Sequence, residues 1–271
     1  MPQLQELVLG GWTSPLTDRG LETLRYLTRL KRFQSCWTPG LTDIGMANLS
    51  FGDQLEDVNL MGTPTGDGAI KALAGKQKLR RFKTGKLVTD AGLPLLHQLP
   101  MFKTWQGGAI KYGLMSFDAE PTDLLLDGPI TDEGLASLQG LEGLFGLSFF
   151  WHLSALTAAG LKSLASLSNL GFLGCQGELC NDDAMRHIAA IPRLRMLMGQ
   201  GTVASDDGFA AGGVRLHAKR FGRCARHFAH VGLVLHRRTF KLDRQRHIAA
   251  NLEPLQGARH LNNAIRLRDL L

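Results

Sequence analysis

The sequence predicts an α/β solenoid, a stack of short helix–strand units, instead of one or two globular domains. Three observations carry this. A Thr-Asp-x-Gly-Leu signature recurs as Thr17-Asp18-Arg19-Gly20-Leu21, Thr42-Asp43-Ile44-Gly45-Met46, Thr89-Asp90-Ala91-Gly92-Leu93 and Thr131-Asp132-Glu133-Gly134-Leu135. Weaker copies stand at Thr65-Gly66-Asp67-Gly68, Thr157-Ala158-Ala159-Gly160, Asn181-Asp182-Asp183-Ala184 and Ser205-Asp206-Asp207-Gly208. The fourth residues of these copies are separated by 25, 23, 24, 42, 26, 24 and 24 positions, so the period is one supersecondary unit with a single irregular step.

Each unit switches period in the same way. Leu21, Leu24, Leu27 and Leu30 recur every third residue, and then Phe33 and Ser35 alternate with Arg32 and Gln34. The first spacing lays an apolar stripe along a helix, and the second is the alternation of a strand. Leu135, Leu138, Leu141, Leu144, Leu147 and Phe149 repeat the pattern, as do Leu161, Leu164, Leu167, Leu170, Leu173 and Cys175. Neither element can cover its own apolar face, so burial comes from neighbouring units. The signature falls where each helix starts. There a Thr hydroxyl or Asp carboxylate is expected to accept from the unpaired amides of the first turn, with glycine leaving room for a neighbouring backbone. That role accounts for the recurring aspartates without metal.

The pattern Leu-Thr-Asp-x-Gly-Leu-x-x-Leu followed by Leu-x-x-Leu-x-Leu resembles the leucine-rich repeat family. Within it, the likeness is to the ribonuclease-inhibitor-like, cysteine-containing subclass in its bacterial short-repeat variety, and it spans about residues 4–210. The resemblance implies a leucine-rich repeat solenoid: a curved parallel sheet on the concave side, helices on the convex side, and a role in binding proteins. That subclass often places cysteine at the strand end, whereas here only Cys36 and Cys175 stand there.

Composition sets the remaining bounds. Apolar residues make up 44% of the chain and aromatic ones only 7%, which fits a core of leucine and alanine. No run of eighteen apolar residues offers a membrane span, and the N-terminus has no basic-then-apolar leader, so a cytoplasmic location is expected. Cys36, Cys175, Cys180 and Cys224 form no Cys-x-x-Cys pair, which points to a reduced compartment and away from zinc.

The net charge of +7 is unevenly spread. Residues 212–271 hold 13 Lys+Arg against 3 Asp+Glu, and six of the nine histidines. The expected organisation is a repeat array of about eight units over 1–211, with an irregular insertion at 107–128, followed by a basic segment over 212–271. Leu124-Leu125-Leu126 predicts a strand inside the insertion, as an extra unit or hairpin, and its acidic residues are expected in a solvated loop. The segment after 211 reads in three ways: a basic helical module, a C-terminal cap, or sequence foreign to the array, as a shifted reading frame would produce. At the other end the chain opens in mid-unit with Leu4, Leu7 and Leu9, so either the natural start lies upstream or this first strand is an exposed edge.

No Gly-x-Ser-x-Gly elbow or phosphate-cradling Gly-rich loop occurs, so no catalytic residue, metal site or cofactor is predicted. The surface expected to act is the concave one, where residues flanking the inward strand leucines point to solvent. Charged early strands contribute Arg32, Gln34, Arg81 and Lys83, with Thr104 and Gln106 expected on the fifth strand. Apolar late strands contribute Phe150, Trp151, Phe172, Met196 and Met198, and an exposed patch of that kind marks a protein contact unless missing units or the tail cover it. The expected function is therefore a non-catalytic protein-binding scaffold, in which glutamate at Phe172 and Met198 blocks capture without unfolding. The alternatives are nucleic-acid binding through the basic tail, or an interrupted array with no activity of its own.

Overall fold

The computed structural model describes residues 1, 3–112, 117–211 and 233–236. The strands in chain order are β1 (Glu6–Gly10), β2 (Arg32–Cys36), β3 (Asp57–Asn59), β4 (Arg81–Lys83), β5 (Ala109–Tyr112), β6 (Phe117–Glu120), β7 (Asp123–Leu126), β8 (Gly146–Phe149), β9 (Phe172–Gln176), β10 (Met196–Gln200) and β11 (Leu233–His236). Eight of them pair in parallel in the order β1-β2-β3-β4-β7-β8-β9-β10, and β11 adds antiparallel to β10. β5 and β6 form a separate antiparallel hairpin. Register is held unit by unit, since Leu7, Phe33, Val58, Phe82, Leu124, Leu147, Leu173 and Leu197 lie opposite one another. This is a leucine-rich repeat solenoid.

The fifth parallel strand is β7, where Leu124-Leu125-Leu126 predicted one. The segment around Thr104 and Gln106 is not a strand. Phe102 carbonyl there accepts from Gly143 N–H, and Trp105 packs on Phe145, so the segment belongs to the stack between β4 and β7 without joining the sheet. The basic segment beyond 211 lies outside the described residues except for β11.

The convex side is built from short helices of two kinds. α1 (Asp43–Met46), α2 (Asp67–Ala72), α3 (Asp132–Ala136), α4 (Asp182–Ala189) and α5 (Asp206–Ala211) are α-helical, whereas Asp18–Tyr26, Leu93–Gln98 and Ala158–Ser166 are 3-10 helices. The apolar spacing of three suits the second kind, although α4 meets the same spacing at Met185 and Ile188. Three residues per turn stack Leu21 and Leu24, or Leu161 and Leu164, on one line, which an α-helix at 3.6 per turn does not. These leucines are buried, as are Leu27, Leu30, Leu167 and Leu170 in the turns that follow. Each such side chain contributes about 1.5–3 kcal/mol on leaving water.

The signature residues do more than start their own helices. Thr42, Thr131 and Thr157 do accept from a first-turn amide, and Asn181 does the same for Ala184 N–H at 2.8 Å. The aspartates, however, reach into the next unit. Asp18 accepts from Thr42 N–H at 2.7 Å and Thr42 Oγ1 at 2.6 Å. Asp67 binds Thr89, Asp90 binds Thr131, Asp132 binds Thr157 and Asp182 binds Ser205 through the same pair of bonds. In the next copy the Thr65 hydroxyl pairs with Thr63 instead, and Asp43 accepts directly from Gly66, Gly68 and Ala69 N–H.

The signature glycine is explained by these rungs. A Cβ at Gly45, Gly68, Gly92, Gly134, Gly160 or Gly208 would stand closer than 3.0 Å to the aspartate of the preceding unit. The neighbour is therefore a side chain, where the sequence suggested backbone. The exception proves consistent: Ala184 marks the one copy without glycine, and the preceding copy, Thr157-Ala158-Ala159-Gly160, holds no aspartate to reach it.

Candidate functional site

The concave face consists of two columns of side chains set by strand register. The first runs Glu6, Arg32, Asp57, Arg81, Asp123, Gly146, Phe172 and Met196, and the second Val8, Gln34, Asn59, Lys83, Leu125, Ser148, Gly174 and Met198. The early half of the first column alternates in sign and neutralises itself. Arg32 meets Glu6 at 3.0 Å and Asp57 at 3.6 Å, and Arg81 meets Asp57 at 3.0 Å. These residues line a cleft of about 430 Å³ shared with Glu120 and Pro121 of the insertion. Half-exposed pairs of this type contribute up to about 1 kcal/mol each. Arg32 and Arg81 are thus engaged within the sheet, while Gln34 and Lys83 lie half-buried in the second column.

The apolar half of that column is closed over. Phe172 and Met196, expected in solvent, are only 2% and 0% exposed and pack with Ala119 and Phe145 in a second core apart from the main one. Trp105, Ile110 and Met198 border it. The cover is the β5–β6 hairpin. A Cβ on Gly146 would collide with that of Ala119, so the bare glycine is what lets β6 lie on β8. Arg195 donates to Gly108 carbonyl at 3.1 Å and stands 5.8 Å from the Phe145 ring centre, holding the base of the insertion. The apolar concave patch is therefore covered from within the chain, by the insertion.

The acidic residues of the insertion differ from the solvated loop expected of them. Glu120 pairs with Lys111 at 2.6 Å, Asp123 is buried in the first column, and Asp127 is fully buried. Asp127 accepts from His152 N–H at 2.7 Å and lies 2.7 Å from His152 Nδ1, while its own N–H donates to Thr84 Oγ1 at 3.0 Å. Asp127 thus joins three successive units. Among the described residues, no group of three His, Cys, Asp or Glu side chains is placed to hold a metal ion, and no helix is long and apolar enough to cross a membrane.

The exposed aromatic surface lies at the carboxyl ends of the strands. Trp12 stacks on Trp37 with ring centres 4.5 Å apart, and Phe150 stacks on Trp151 at 4.8 Å. Trp37 joins the two pairs, 5.9 Å from Phe150 and 5.6 Å from Trp151. Trp12 is 70% exposed and Trp151 60%. Trp37 has a φ of 59°, a left-handed backbone that costs a bulky side chain of order 1–3 kcal/mol. Its ring occupies the space that a side chain on Gly62 would fill, and its N–H donates to Met61 carbonyl at 2.9 Å. Phe150 and Trp151 belong to the sequence-derived set, whereas Trp12 and Trp37 do not. A signal for Trp37 was present, since Trp37 and Trp151 each follow the last inward strand residue, Ser35 or Phe149, by the same offset.

No protein-family profile matches the chain, and no curated protein matches it. Among solved structures, it is similar to an internalin from Listeria monocytogenes, with 18% identity and a TM-score of 0.39. The match covers 64% of this chain and 48% of the internalin, so the chain spans about half the length of that protein.

Proposed function

We propose that the chain is a non-catalytic scaffold that binds a protein partner at the aromatic rim and the adjoining second column of the concave face. The observation that supports this is the four-ring cluster of Trp12, Trp37, Phe150 and Trp151, two of whose rings are largely in solvent. Tryptophan dominates the energetics of protein interfaces, because a rigid ring removes much apolar area from water at little entropic cost. Strain retained at Trp37 fits a side chain held for contact, since a glycine or asparagine would occupy that backbone more easily. Gln34 and Lys83 supply the polar contacts beside the rings, with Met198 at the far end of the same column. Arg32 and Arg81 act through their ion-pair ladder, as a charge pattern that sets orientation. Phe172 and Met196 serve as the seat of the hairpin.

The repeat type belongs to this reading too: the Thr-Asp-x-Gly beat favours the ribonuclease-inhibitor-like, cysteine-containing subclass. The test is selection of binders from a displayed library against the full chain, followed by affinity measurement on Trp37→Asn/Trp151→Ser and on Lys162→Glu of the convex side. Rim binders should lose about 30- to 1000-fold in affinity on the double variant and keep it on Lys162→Glu. A selection whose binders all retain affinity for the rim variant would remove the rim as the binding surface.

A further inference from the structure

Two buried thiols stand at the junction where the aspartate ladder is interrupted. Cys175 lies in β9, and Cys180 ends the 3-10 turn Gly177–Cys180, directly before the Asn181 cap of α4. Both are buried, at 3% and 0% exposure. Their sulfurs are 2.8 Å apart, roughly 0.8 Å beyond the length of a disulfide bond. Every other junction between consecutive signature copies among the described residues is tied by a carboxylate from the unit before. Here Ala158 has none to offer, and Asn181 caps only its own helix.

We propose that Cys175 and Cys180 are a disulfide-forming pair that anchors the start of α4 at the junction lacking an aspartate rung. With a low-molecular-weight disulfide such as oxidised glutathione as oxidant, the thiolate of one cysteine attacks a glutathione sulfur and displaces a glutathione thiolate. The second cysteine attacks the resulting mixed disulfide and releases the other glutathione. The protein gives up two electrons and two protons, and two molecules of reduced glutathione form.

The setting defines the kinetics. The hydrogen bond with Cys180 and burial both hold the Cys175 thiol well above its ordinary value, so thiolate is scarce near neutral pH. Exchange in the folded array is therefore slow, and the bond forms fastest while α4 is still opening and closing or during refolding. The same burial shields the finished bond from external thiols. Cys36, half-buried in β2, is a free thiol unpaired with the others among the described residues and serves as an internal control for non-specific oxidation.

The experiment refolds the full chain in a buffer of oxidised and reduced glutathione, quenches with an alkylating agent, and maps peptides after trypsin. The peptide from Ser163 to Arg186 carries both cysteines. It should appear two mass units lighter than the reduced, unalkylated form, and cleavage after Glu178 should leave its halves joined. The oxidised chain should melt about 4–8 °C above the reduced chain. Cys175→Ser/Cys180→Ser should show no dependence on the redox buffer, and Cys180→Ala takes its place if the double variant does not fold. A peptide that remains alkylated at both cysteines overturns the proposal, as does a bond that forms without raising the melting temperature.

Discussion

Installing the missing rung is the sharpest test of the aspartate ladder. Ala158→Asp places a carboxylate at the position from which Asp132 reaches Thr157 and Asp182 reaches Ser205. Alone it should fail, because Ala184 carries the Cβ that the glycines of the other copies lack, and those glycines would bring a Cβ within 3.0 Å of the carboxylate. Overpacking of this kind costs about 1–3 kcal/mol. Ala184→Gly alone should cost about 1 kcal/mol through loss of helix propensity in α4. Together they allow the carboxylate to accept from Asn181 N–H, with the amide side chain alongside. A partly exposed rung of charge-assisted hydrogen bonds contributes about 1.5–2.5 kcal/mol, which outweighs the glycine and leaves the double variant about 0.5–1.5 kcal/mol more stable than the parent. The coupling energy should therefore be at least about 2 kcal/mol. Urea unfolding of the parent, both singles and the double closes the cycle. Effects that add to within about 0.5 kcal/mol would refute the explanation of the signature glycine.

Two further outcomes follow from the geometry. Phe172→Glu should cost more than about 3 kcal/mol, because it buries an unpaired carboxylate beneath the hairpin, whereas Phe172→Leu should remain folded; a parental melting temperature for Phe172→Glu would contradict the packing described. Hydrogen bonds from Ser205 hold the Asp182 carboxylate below its ordinary value near 3.8, so its contribution is full above that value and disappears as pH falls through the lowered one; Asp182→Asn should flatten this part of the acid limb between pH 2 and 6, and superimposable limbs would exclude the rung as its source.

Much of the fold was legible because the information was local and repeated. Leucine at every third residue, then alternation, locates most helices and strands; Leu124-Leu125-Leu126 does form a strand, but as the fifth of the parallel sheet, the place expected for Thr104 and Gln106. The helix type is not legible in the spacing, since Leu21 and Leu24 share a 3-10 helix whereas Met185 and Ile188, equally spaced, share the α-helix α4. The candidate site was less legible than the fold. Strand alternation predicts Phe172 and Met196 to face solvent, and it does place them on the concave side. What it could not convey was that β6 lies on that side. Likewise Asp123 and Asp127 appeared as charges in a polar insertion, when one belongs to a strand column and the other ties three units together.

The sequence by itself determined the solenoid, its period, the inward leucine columns and the one irregular step between Gly92 and Gly134, because these depend on relations within one repeat or between adjacent copies. Only the tertiary structure decided what each signature aspartate grips, what covers the apolar half of the concave face, and which aromatic rings meet at the rim. Trp37 and Trp151 lie far apart in sequence and follow strands that are not neighbours in the sheet, β2 and β8, yet their rings meet at the rim. A periodic pattern specifies how one unit sits on the next. It does not specify how an inserted hairpin folds back, or where side chains several units apart converge, since neither is governed by the repeat.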